Sequence, residues 1–501
     1  MSSLITTIGS HLTARHLSRQ TFGYSYSLIK RHLSTNTSNK DNDSHNYDII
    51  INGGGIAGFS TLVALKNSSY LKNHKILLIE RQIKTDNHLE RKDNQFSNRV
   101  SAITKSSKRF FKKIGIWDEF KEFAKPVKEF FVWSQNYRNA INFIHDFDGE
   151  DNDDNDVVCF IVENNRMLAA LQSQTNQIND SVCYETIVTD IKSDGNSVKV
   201  DTKSLKNESQ SSLVTKLLIG CDGFQSTVRQ KSNLVNFEHE LQEMAIVATL
   251  NVSSGFGNPN NDIAFQRFVS INDSVIALLP LNQDYSSLVW SVPKDLVKQL
   301  MQMNENKFVE HLNDCLKTEN SNSSSIVSKF DGIIDSIFPK SMISNENVSY
   351  SVPQINSVVT DSRVAFPLKL STTLPYFVGS PNDSKDNNRI VLLGDAAHRI
   401  HPLAGQGLNL GIGDVYVLTQ TIESYLSRGE CLFGQNPLDC SKRLESCLFD
   451  FESKRQFKSI AMISAVHSMK QLFNLIPSNV LSVMNSANFV KKQIVKFANS
   501  V

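Results

Sequence analysis

The chain lacks the sequence features that indicate a membrane-spanning protein, a nucleic-acid-binding protein or a zinc protein. Beyond its N-terminal segment it has no run of about eighteen apolar residues, so no membrane-spanning helix is expected. Its 52 basic and 51 acidic residues leave a net charge of +1, which provides no bulk attraction for nucleic acid. Its seven cysteines include no Cys-x-x-Cys pair and no His/Cys cluster with zinc spacing. We therefore expect reduced thiols, no metal site, and a core large enough for two coupled domains.

Acidic residues are also missing from the first forty positions. Arg15, Arg19, Lys30 and Arg31 are spread there among many serines and threonines, and the apolar residues allow only a weakly amphipathic helix. This composition is typical of a mitochondrial transit peptide and lacks the apolar core of a secretory signal. We predict a transit peptide and linker over residues 1–46, and the alternative is a disordered polar tail.

The first chemical motif is a glycine-rich turn. The apolar strand Asp48–Ile51 leads into Gly-x-Gly-x-x-Gly, formed by Gly53, Gly55 and Gly58, and an apolar helical run follows. In this context the motif predicts a dinucleotide-binding turn, where a pyrophosphate approaches the backbone at a helix start. A second apolar strand ends at Glu80, about twenty residues further on, where a carboxylate binds an adenosine ribose.

Two later segments place a carboxylate beside a glycine at the end of an apolar strand. In the first, Asp222 and Gly223 follow Leu217–Gly220, a weak signal by itself because Asp-Gly turns are common. In the second, the strand from Ile390 ends at Gly394-Asp395, and Gly405-Gln406-Gly407 then opens a helix. A strand-end carboxylate accepts hydrogen bonds from a polyol, and helix-start amides suit an acidic ring. Together these devices suggest a cofactor that carries both groups.

The order of the three segments resembles the group A flavoprotein aromatic hydroxylases, the para-hydroxybenzoate hydroxylase type. Within that group the chain is most similar to the ubiquinone-biosynthesis branch, and there to the mitochondrial enzymes that hydroxylate ring position C5. The segments that carry this resemblance are Asn98–Ile103, Ile161–Asn164, Phe366–Leu368, the run from Gly394 to Asp414, and the tail Lys492–Ala498. The resemblance covers roughly residue 47 to the end. The Lys369–Thr373 run and Cys221 depart from the usual pattern.

The resemblance implies FAD as the cofactor and a role for each motif residue. Gly53, Gly55, Gly58 and Glu80 would hold the ADP half, and Arg99 would meet the phosphates unless it makes only a surface salt bridge. Asp222 and Gly223 would contact flavin and reductant, and Asp395 the ribityl chain. The residues expected at the flavin ring are Pro402, Gly405, Gly407 and Asn409.

The implied reaction needs no protein nucleophile, because flavin carries the chemistry. Reduced FAD would react with O2 to a flavin hydroperoxide that hydroxylates an electron-rich phenolic ring. No catalytic side chain is identified, and the catalytic residues stay unknown. His398 and His401 are candidates for proton transfer, but the simpler interpretation is that they shape the turn after Asp395.

The pattern between the motifs changes to short β-rich runs separated by turns, from Met244 to Val292, followed by helical sequence over Leu296–Leu316. We predict an α/β protein in which a Rossmann-like FAD-binding domain carries an inserted, mainly antiparallel substrate sheet and C-terminal helices. We predict that the FAD-binding domain comprises residues 47–240, with interleaved substrate-domain elements, and residues 381–450. The substrate domain comprises residues 241–380, and the C-terminal helices comprise residues 451–501.

The resemblance also implies partners. These are a polyprenylated phenolic substrate, O2, a ferredoxin and its reductase as electron supply (with NAD(P)H as the alternative), and other coenzyme Q biosynthesis proteins. We expect a peripheral enzyme on the matrix side of the mitochondrial inner membrane. Two alternatives stay open: another flavin monooxygenase, either an epoxidase or a kynurenine-type hydroxylase, and a non-catalytic binding protein of the Rab GDP-dissociation inhibitor type.

Overall fold

A computed structural model describes the chain from residue 46 to residue 475 with several gaps. The described ranges are 46–84, 96–134, 140–144, 156–175, 181–253, 255, 258–269, 273–317, 351–378, 389–402, 405–434 and 437–475. The predicted transit segment, apart from residue 46, and the tail Lys492–Ala498 lie outside these ranges. What was predicted for them stays a prediction.

The described residues form nineteen strands and nine α-helices. The strands, in chain order, are β1 (Asn46–Asn52), β2 (Ile76–Ile79), β3 (Val100–Thr104), β4 (Lys125–Val127), β5 (Glu129–Trp133), β6 (Ile141–Ile144), β7 (Cys159–Glu163), β8 (Val182–Cys183), β9 (Thr186–Ser193), β10 (Val198–Ser204), β11 (Gln210–Gly220), β12 (Val235–Ser253), β13 (Ile263–Val269), β14 (Ser274–Pro280), β15 (Tyr285–Pro293), β16 (Gln354–Val358), β17 (Val364–Leu374), β18 (Ile390–Leu392) and β19 (His398–Arg399). The helices are α1 (Ile56–Asn67), α2 (Lys105–Lys113), α3 (Trp117–Phe120), α4 (Asn164–Thr175), α5 (Thr227–Lys231), α6 (Lys294–Gln302), α7 (Glu305–Leu316), α8 (Gly407–Ser427) and α9 (Pro437–Leu475).

The first sheet has seven strands in the order β8-β2-β1-β11-β10-β9, with β18 beside the end of β11. Strands β8, β2, β1, β11 and β18 run parallel, and β10 pairs antiparallel with both of its neighbours. Ile49–Ile51 of β1 are fully buried, as expected for a central parallel strand with both faces covered. Because parallel strands end at the same edge, the segments after β1, β2, β11 and β18 meet there. All the strand-end motifs of the sequence lie in these segments.

The second sheet has nine strands in the order β19-β17-β12-β15-β14-β13-β5-β6, with β16 paired to β12. Its pairs are antiparallel except for β5 with β13. The predicted mixed α/β fold with an inserted, mainly antiparallel sheet is confirmed. Strands β5 and β6 join this sheet from upstream and β19 from downstream. A smaller sheet, β3-β7-β4, packs against β13 through a cluster of buried apolar residues.

Two elements differ from the expected pattern. The helical stretch expected over 296–316 is two helices, α6 and α7, because the side chain of Asn304 accepts a hydrogen bond from Lys307 N at 2.9 Å and starts a new helix. The helix α9 is continuous across residue 450, and β12 is continuous across residue 240. Two predicted domain limits therefore fall inside single elements, and the division itself stays a prediction.

Two features of the described part of the chain concern its helix lengths and its thiols. None of its helices combines the length and the hydropathy that crossing a bilayer requires. All seven cysteines are free thiols, although the sulfurs of Cys431 and Cys440 lie 3.4 Å apart.

Candidate cofactor site

The turn between β1 and α1 requires glycine at Gly53 and Gly58 because backbone atoms occupy the space that a Cβ would need. Gly53 has φ of +104°, and a Cβ added there would lie 2.5 Å from the carbonyl oxygen of Cys221. A Cβ at Gly58 would lie 1.8 Å from the carbonyl oxygen of Gly53. At Gly55, by contrast, an added Cβ meets no atom within 4 Å, and no side chain caps the helix start. The turn therefore leaves open space in front of the first amides of α1.

Glu80 lies at the end of β2 with its carboxylate against this turn. One oxygen accepts a hydrogen bond from the Gly54 amide, and the other accepts one from Gln82 N at 2.6 Å. The residue is only 9% exposed, so the carboxylate is held in a fixed orientation. The structure thus brings Glu80 to the glycine-rich turn, and its contact with a ribose stays a prediction.

Asp222 and Gly223 follow β11 at the same edge. The Oδ2 atom of Asp222 accepts hydrogen bonds from Asn52 Nδ2 at 2.9 Å and from Val228 N at 3.1 Å. Its Oδ1 atom is buried without a hydrogen-bond partner, and burial raises the pKa of this carboxyl above its usual range. Gly223 has φ of +78°. The edge therefore contains a carboxylate oxygen that can accept one further hydrogen bond.

The segment after β18 forms a tight turn against α8. Gly394 has φ of +58°, and an added Cβ on Gly411 of α8 would lie 3.3 Å from its Cα atom. The side chain of Asp395 is exposed at the cavity. Enough protein lies around its carboxyl that desolvation raises the pKa. His398 and Arg399 act in the opposite direction and lower it. The carboxylate is thus available to a ligand at the edge of the parallel sheet.

The start of α8 presents unpaired backbone amides. The helix begins at Gly407 after Gln406, whose side chain makes no capping hydrogen bond, and its first turn contains no acidic residue. The first amides of a helix lack intrahelical partners, so this end carries partial positive charge. The amide of Gly405 is different, because it donates to the carbonyl oxygen of Pro402 at 2.9 Å. The geometry therefore favours Gly407 over Gly405 as an amide donor to a ligand.

These segments enclose a cavity of about 430 Å³. Six of the residues predicted from sequence line it: Gly55, Gly223, Asp395, Pro402, Gly405 and Gly407. Leu368 and Lys369 of β17 also line it, so the cavity lies between the first sheet's edge and the second sheet. Segments more than 300 residues apart in sequence are brought to one site.

The other predicted residues lie outside the cavity wall. Gly53, Gly58, Glu80 and Asp222 support the turns behind it. Arg99 is exposed just before β3, with its guanidinium 5.8 Å from the centre of the Phe366 ring, while the next two residues line the cavity.

Asn409 is the clearest difference from its predicted position in the flavin pocket. Its Oδ1 atom accepts hydrogen bonds from Thr104 N at 3.1 Å and Ser107 Oγ at 2.8 Å. Its Nδ2 atom donates to Ala102 O at 2.7 Å. The side chain is buried and joins the start of α8 to β3 and α2, and it is not among the cavity-lining residues.

Two cations of the cavity wall were not among the site residues predicted from sequence. The guanidinium of Arg399 lies 4.8 Å from the centre of the Phe224 ring, and Lys369 forms an ion pair with Glu238 at 2.8 Å. Arg399 lies within the run from Gly394 to Asp414, so its place in that motif could have identified it as a site residue from the sequence. Ser101 and Asn164, joined by a 2.7 Å hydrogen bond, also line the wall and fall in segments that carry the family resemblance.

The two histidines of the turn are engaged with carboxylates. His398 Nε2 lies 2.6 Å from Asp414 Oδ2, and both side chains are almost fully buried. His401 Nε2 lies 3.3 Å from Glu243 Oε2 and thereby links the turn to β12 of the second sheet. Neither histidine is among the residues that line the cavity.

A match to a known family decides what this arrangement is. Residues 46–329 and 382–431 match the family described as "FAD binding domain". The chain belongs to this family. As an FAD-binding protein it has the cofactor predicted from its three motifs.

Two relatives indicate which branch of the family the chain belongs to. The chain is 31% identical over 467 residues to "Ubiquinone biosynthesis monooxygenase COQ6, mitochondrial" of Xenopus tropicalis, which covers 90% of this chain and 93% of that protein. It is 30% identical over 469 residues to the human protein of the same name, covering 90% and 92%. The chain is thus an FAD-dependent monooxygenase of the ubiquinone-biosynthesis branch, and these relatives are named mitochondrial.

Solved structures show the same fold at low identity. The p-nitrophenol 4-monooxygenase PnpA from Pseudomonas putida superposes with a TM-score of 0.61 at 15% identity, covering 91% of this chain and 99% of that one. PqsL from Pseudomonas aeruginosa, described as a probable FAD-dependent monooxygenase, gives 0.59 at 17% identity, covering 89% and 99%. These similarities concern the fold alone.

The residues at the site fit FAD on two structural observations. The space in front of Gly55 allows a pyrophosphate to reach the α1 amides, and α8 offers a second uncapped helix start. The strand-end carboxylate of Asp395 lines the cavity and is available to accept hydrogen bonds from cofactor hydroxyls. An anion-binding turn at one end and a polyol acceptor at the other match the two halves of this dinucleotide.

Proposed function

We propose that this protein hydroxylates the C5 position of the phenolic ring in a polyprenylated, benzoate-derived intermediate of ubiquinone biosynthesis. The observation that carries the proposal is the position of the cavity, which has the cofactor motifs on one side and β17 of the second sheet on the other. The names of the relatives supply the pathway. Sites between two structural layers are where enzymes commonly hold a substrate against a cofactor.

The cofactor-facing residues have distinct roles in this proposal. FAD, when bound and reduced, supplies the activation of O2 that ring hydroxylation requires. The α1 amides beside Gly55 hold the pyrophosphate, Glu80 the adenosine ribose and Asp395 the ribityl hydroxyls. Arg99 would meet the phosphates, and Gly223 would contact the flavin. The first amides of α8, from Gly407 onward, would stabilise negative charge on the flavin pyrimidine.

The opposite wall carries the features of a substrate site. Leu368 and Ile400 provide apolar surface, and Arg399 provides positive charge, while Lys369 is paired with Glu238. A ring that retains a carboxylate and carries an apolar chain complements both features. This complementarity supports a benzoate-derived substrate more than a neutral one.

The electron supply and the location belong to the same proposal. We infer that electrons arrive from a ferredoxin and its reductase, with NAD(P)H as the alternative donor. The protein would act in mitochondria, in peripheral contact with the matrix side of the inner membrane and with other coenzyme Q biosynthesis proteins. The mitochondrial names of the relatives support the compartment.

The test is product analysis under ¹⁸O2. Protein lacking residues 1–46 is loaded with FAD, reduced with ferredoxin and its reductase or with NAD(P)H, and given a prenylated 4-hydroxybenzoate. A product with one ¹⁸O atom at ring C5, identified by mass spectrometry and NMR, supports the proposal. Oxygen inserted into the prenyl chain would indicate an epoxidase, and hydroxylation of kynurenine alone would indicate that class. A protein that binds FAD and the prenylated ring without turnover with either donor would favour a binding role.

A further inference from the structure

A buried carboxylate lies directly behind the flavin-facing turn. The side chain of Asp414, in α8, is fully buried, and its two oxygens have different partners. Oδ2 accepts hydrogen bonds from the Gly394 amide at 2.9 Å and from His398 Nε2 at 2.6 Å. Oδ1 accepts one from Arg455 Nε at 2.8 Å. One carboxylate thus contacts the turn after β18, helix α8 that carries it, and helix α9.

Arg455 fixes α9 against the start of α8. Its guanidinium is almost fully buried and also donates to the carbonyl oxygen of Leu410 at 2.9 Å. An added Cβ at Gly413 would lie 2.6 Å from the guanidinium, so this close approach requires glycine. The two charged groups therefore occupy a space shaped for them, and neither contacts the cavity.

The charges in this network compensate one another. Burial by itself would raise the pKa of the Asp414 carboxyl, but the attraction of His398 and Arg455, together with their hydrogen bonds, lowers it to about 2. The carboxylate is therefore ionised at any physiological pH. A buried charge of this kind has a strong preference for one geometry, because any displacement leaves it without partners.

The network connects the two parts of the chain that meet the flavin half of the cofactor. Gly394 immediately precedes Asp395, the predicted ribityl acceptor. Gly407, the first residue of α8, lies about two helical turns before Asp414. The adenosine half is bounded by different elements, the β1–α1 turn and Glu80, to which Asp414 makes no hydrogen bond in the described structure.

We propose that Asp414 and Arg455 are positioning residues that set the distance between Asp395 and the amides at the start of α8. They would thereby control binding of the ribityl and ring half of FAD, and leave binding of its ADP half unchanged.

The test compares binding of the whole cofactor with binding of its ADP half. Full-length protein is stripped of flavin, and the dissociation constants of FAD and of ADP are measured by titration calorimetry. For Asp414→Asn and Arg455→Met we expect FAD binding to weaken about tenfold or more, because buried polar partners are left unpaired. ADP binding should change by less than about twofold, which is within the scatter expected for an interaction left intact.

Three further variants complete the experiment. Glu80→Gln contacts the ADP half and should weaken FAD and ADP together. Arg389→Lys replaces a buried arginine at the opposite end of β18, where it donates to Gly195 O and Ser441 Oγ, and should change neither constant. His398→Leu removes the N–H donor toward Asp414 and leaves the carboxylate in place, so it tests the network if Asp414→Asn does not fold, and it should weaken FAD selectively.

The proposal is overturned by either of two results. Equal weakening of FAD and ADP by the folded network variants would mean that Asp414 and Arg455 support the whole fold. Unchanged FAD binding in folded variants would mean that the network positions nothing. Resolved flavin absorption bands, recorded for each reconstituted variant, should broaden only in the network variants.

Discussion

The side chain of Asn52 donates a hydrogen bond to Asp222 across the ends of the neighbouring strands β1 and β11, with 2.9 Å between Nδ2 and Oδ2. The two residues are 170 positions apart in sequence. Asn52 is the last residue of β1 and Asp222 follows β11, and each lies next to a glycine that shapes the cofactor site. The pair joins the dinucleotide turn to the Asp-Gly turn.

Asn52→Ala should destabilise the protein through Asp222. The substitution removes one of the two hydrogen bonds that Asp222 Oδ2 accepts, the other being from the Val228 amide, and so leaves a buried carboxylate less well satisfied. A loss of about 1–3 kcal/mol in the free energy of unfolding is expected for such a group. Urea denaturation of the apoprotein measures it. Asn207→Ala in an exposed turn is the control and should have little effect. Equal midpoints for both variants would contradict the prediction.

Asp395→Ala should lose flavin while remaining folded. The substitution removes the proposed acceptor for the ribityl hydroxyls, and it also removes a carboxyl whose pKa is raised by desolvation. The ratio of flavin to protein absorbance after purification should fall steeply, with an unchanged circular dichroism spectrum. Asp118→Ala removes an exposed carboxylate that pairs with Lys121 and should retain full flavin content. Full FAD occupancy in the Asp395 variant would show that its assigned role is wrong.

Alanine at Gly55 and at Gly58 should give opposite kinds of defect. At Gly58 the new Cβ overlaps the carbonyl oxygen of Gly53, so we expect a loss of about 3 kcal/mol or a failure to fold. At Gly55 the new Cβ meets no protein atom, so the apoprotein should be as stable as wild type. Its FAD affinity should nevertheless fall, because the methyl group occupies the space proposed for the pyrophosphate. Thermal unfolding with and without FAD distinguishes the two defects. A Gly55→Ala protein with normal FAD affinity would show that the pyrophosphate does not occupy that space.

The stability contributed by Asp414 should depend on pH in a defined window. Its pKa is about 2 in the folded protein, below the ordinary value of 3.8. The folded state therefore binds the proton less readily than the unfolded state, so the contribution is present above about pH 3.8 and is lost as the pH falls toward 2. A difference of nearly two pH units corresponds to about 2 kcal/mol. Unfolding of wild type and Asp414→Asn across this range should show a stability difference that shrinks by this amount at low pH. A constant difference would contradict the prediction.

Deletion of residues 1–46 should abolish mitochondrial import and leave an enzyme that binds FAD. The described fold begins at Asn46, and every residue of the cofactor site lies beyond the deletion. Import into isolated mitochondria, followed by protease protection, measures the first effect, and the visible spectrum measures the second. Residues 1–46 fused to a passenger protein should direct its import. An imported truncated protein would mean that the transit signal lies elsewhere.

Local sequence patterns predicted the elements that build the site. The apolar strands before Gly53, Glu80, Asp222 and Asp395 are where the pattern placed them, because a buried parallel strand must be continuously apolar and must end in a turn. The glycines at 53 and 58 were equally predictable, since their positions in the motif reflect close backbone packing. Sequence patterns placed the limits of longer elements less well. The residues around 240 and 450 continue a strand and a helix with no composition change to show it.

The sequence by itself determined the cofactor, the enzyme class and the order of the segments that meet it. The cofactor and the enzyme class followed from the family resemblance that the motifs carry, and the order of the segments from short motifs whose spacing reflects strands, turns and helix starts. Only the tertiary structure decided that Gly405 donates its amide to Pro402, that Asn409 ties α8 to β3, and that Asp414 and Arg455 share a buried charge network. Each of these contacts depends on which side chain or carbonyl the packed fold brings within hydrogen-bond distance. Separations of 41 residues for Asp414 and Arg455, and of 307 for Asn409 and Ala102, leave no periodic trace in the sequence.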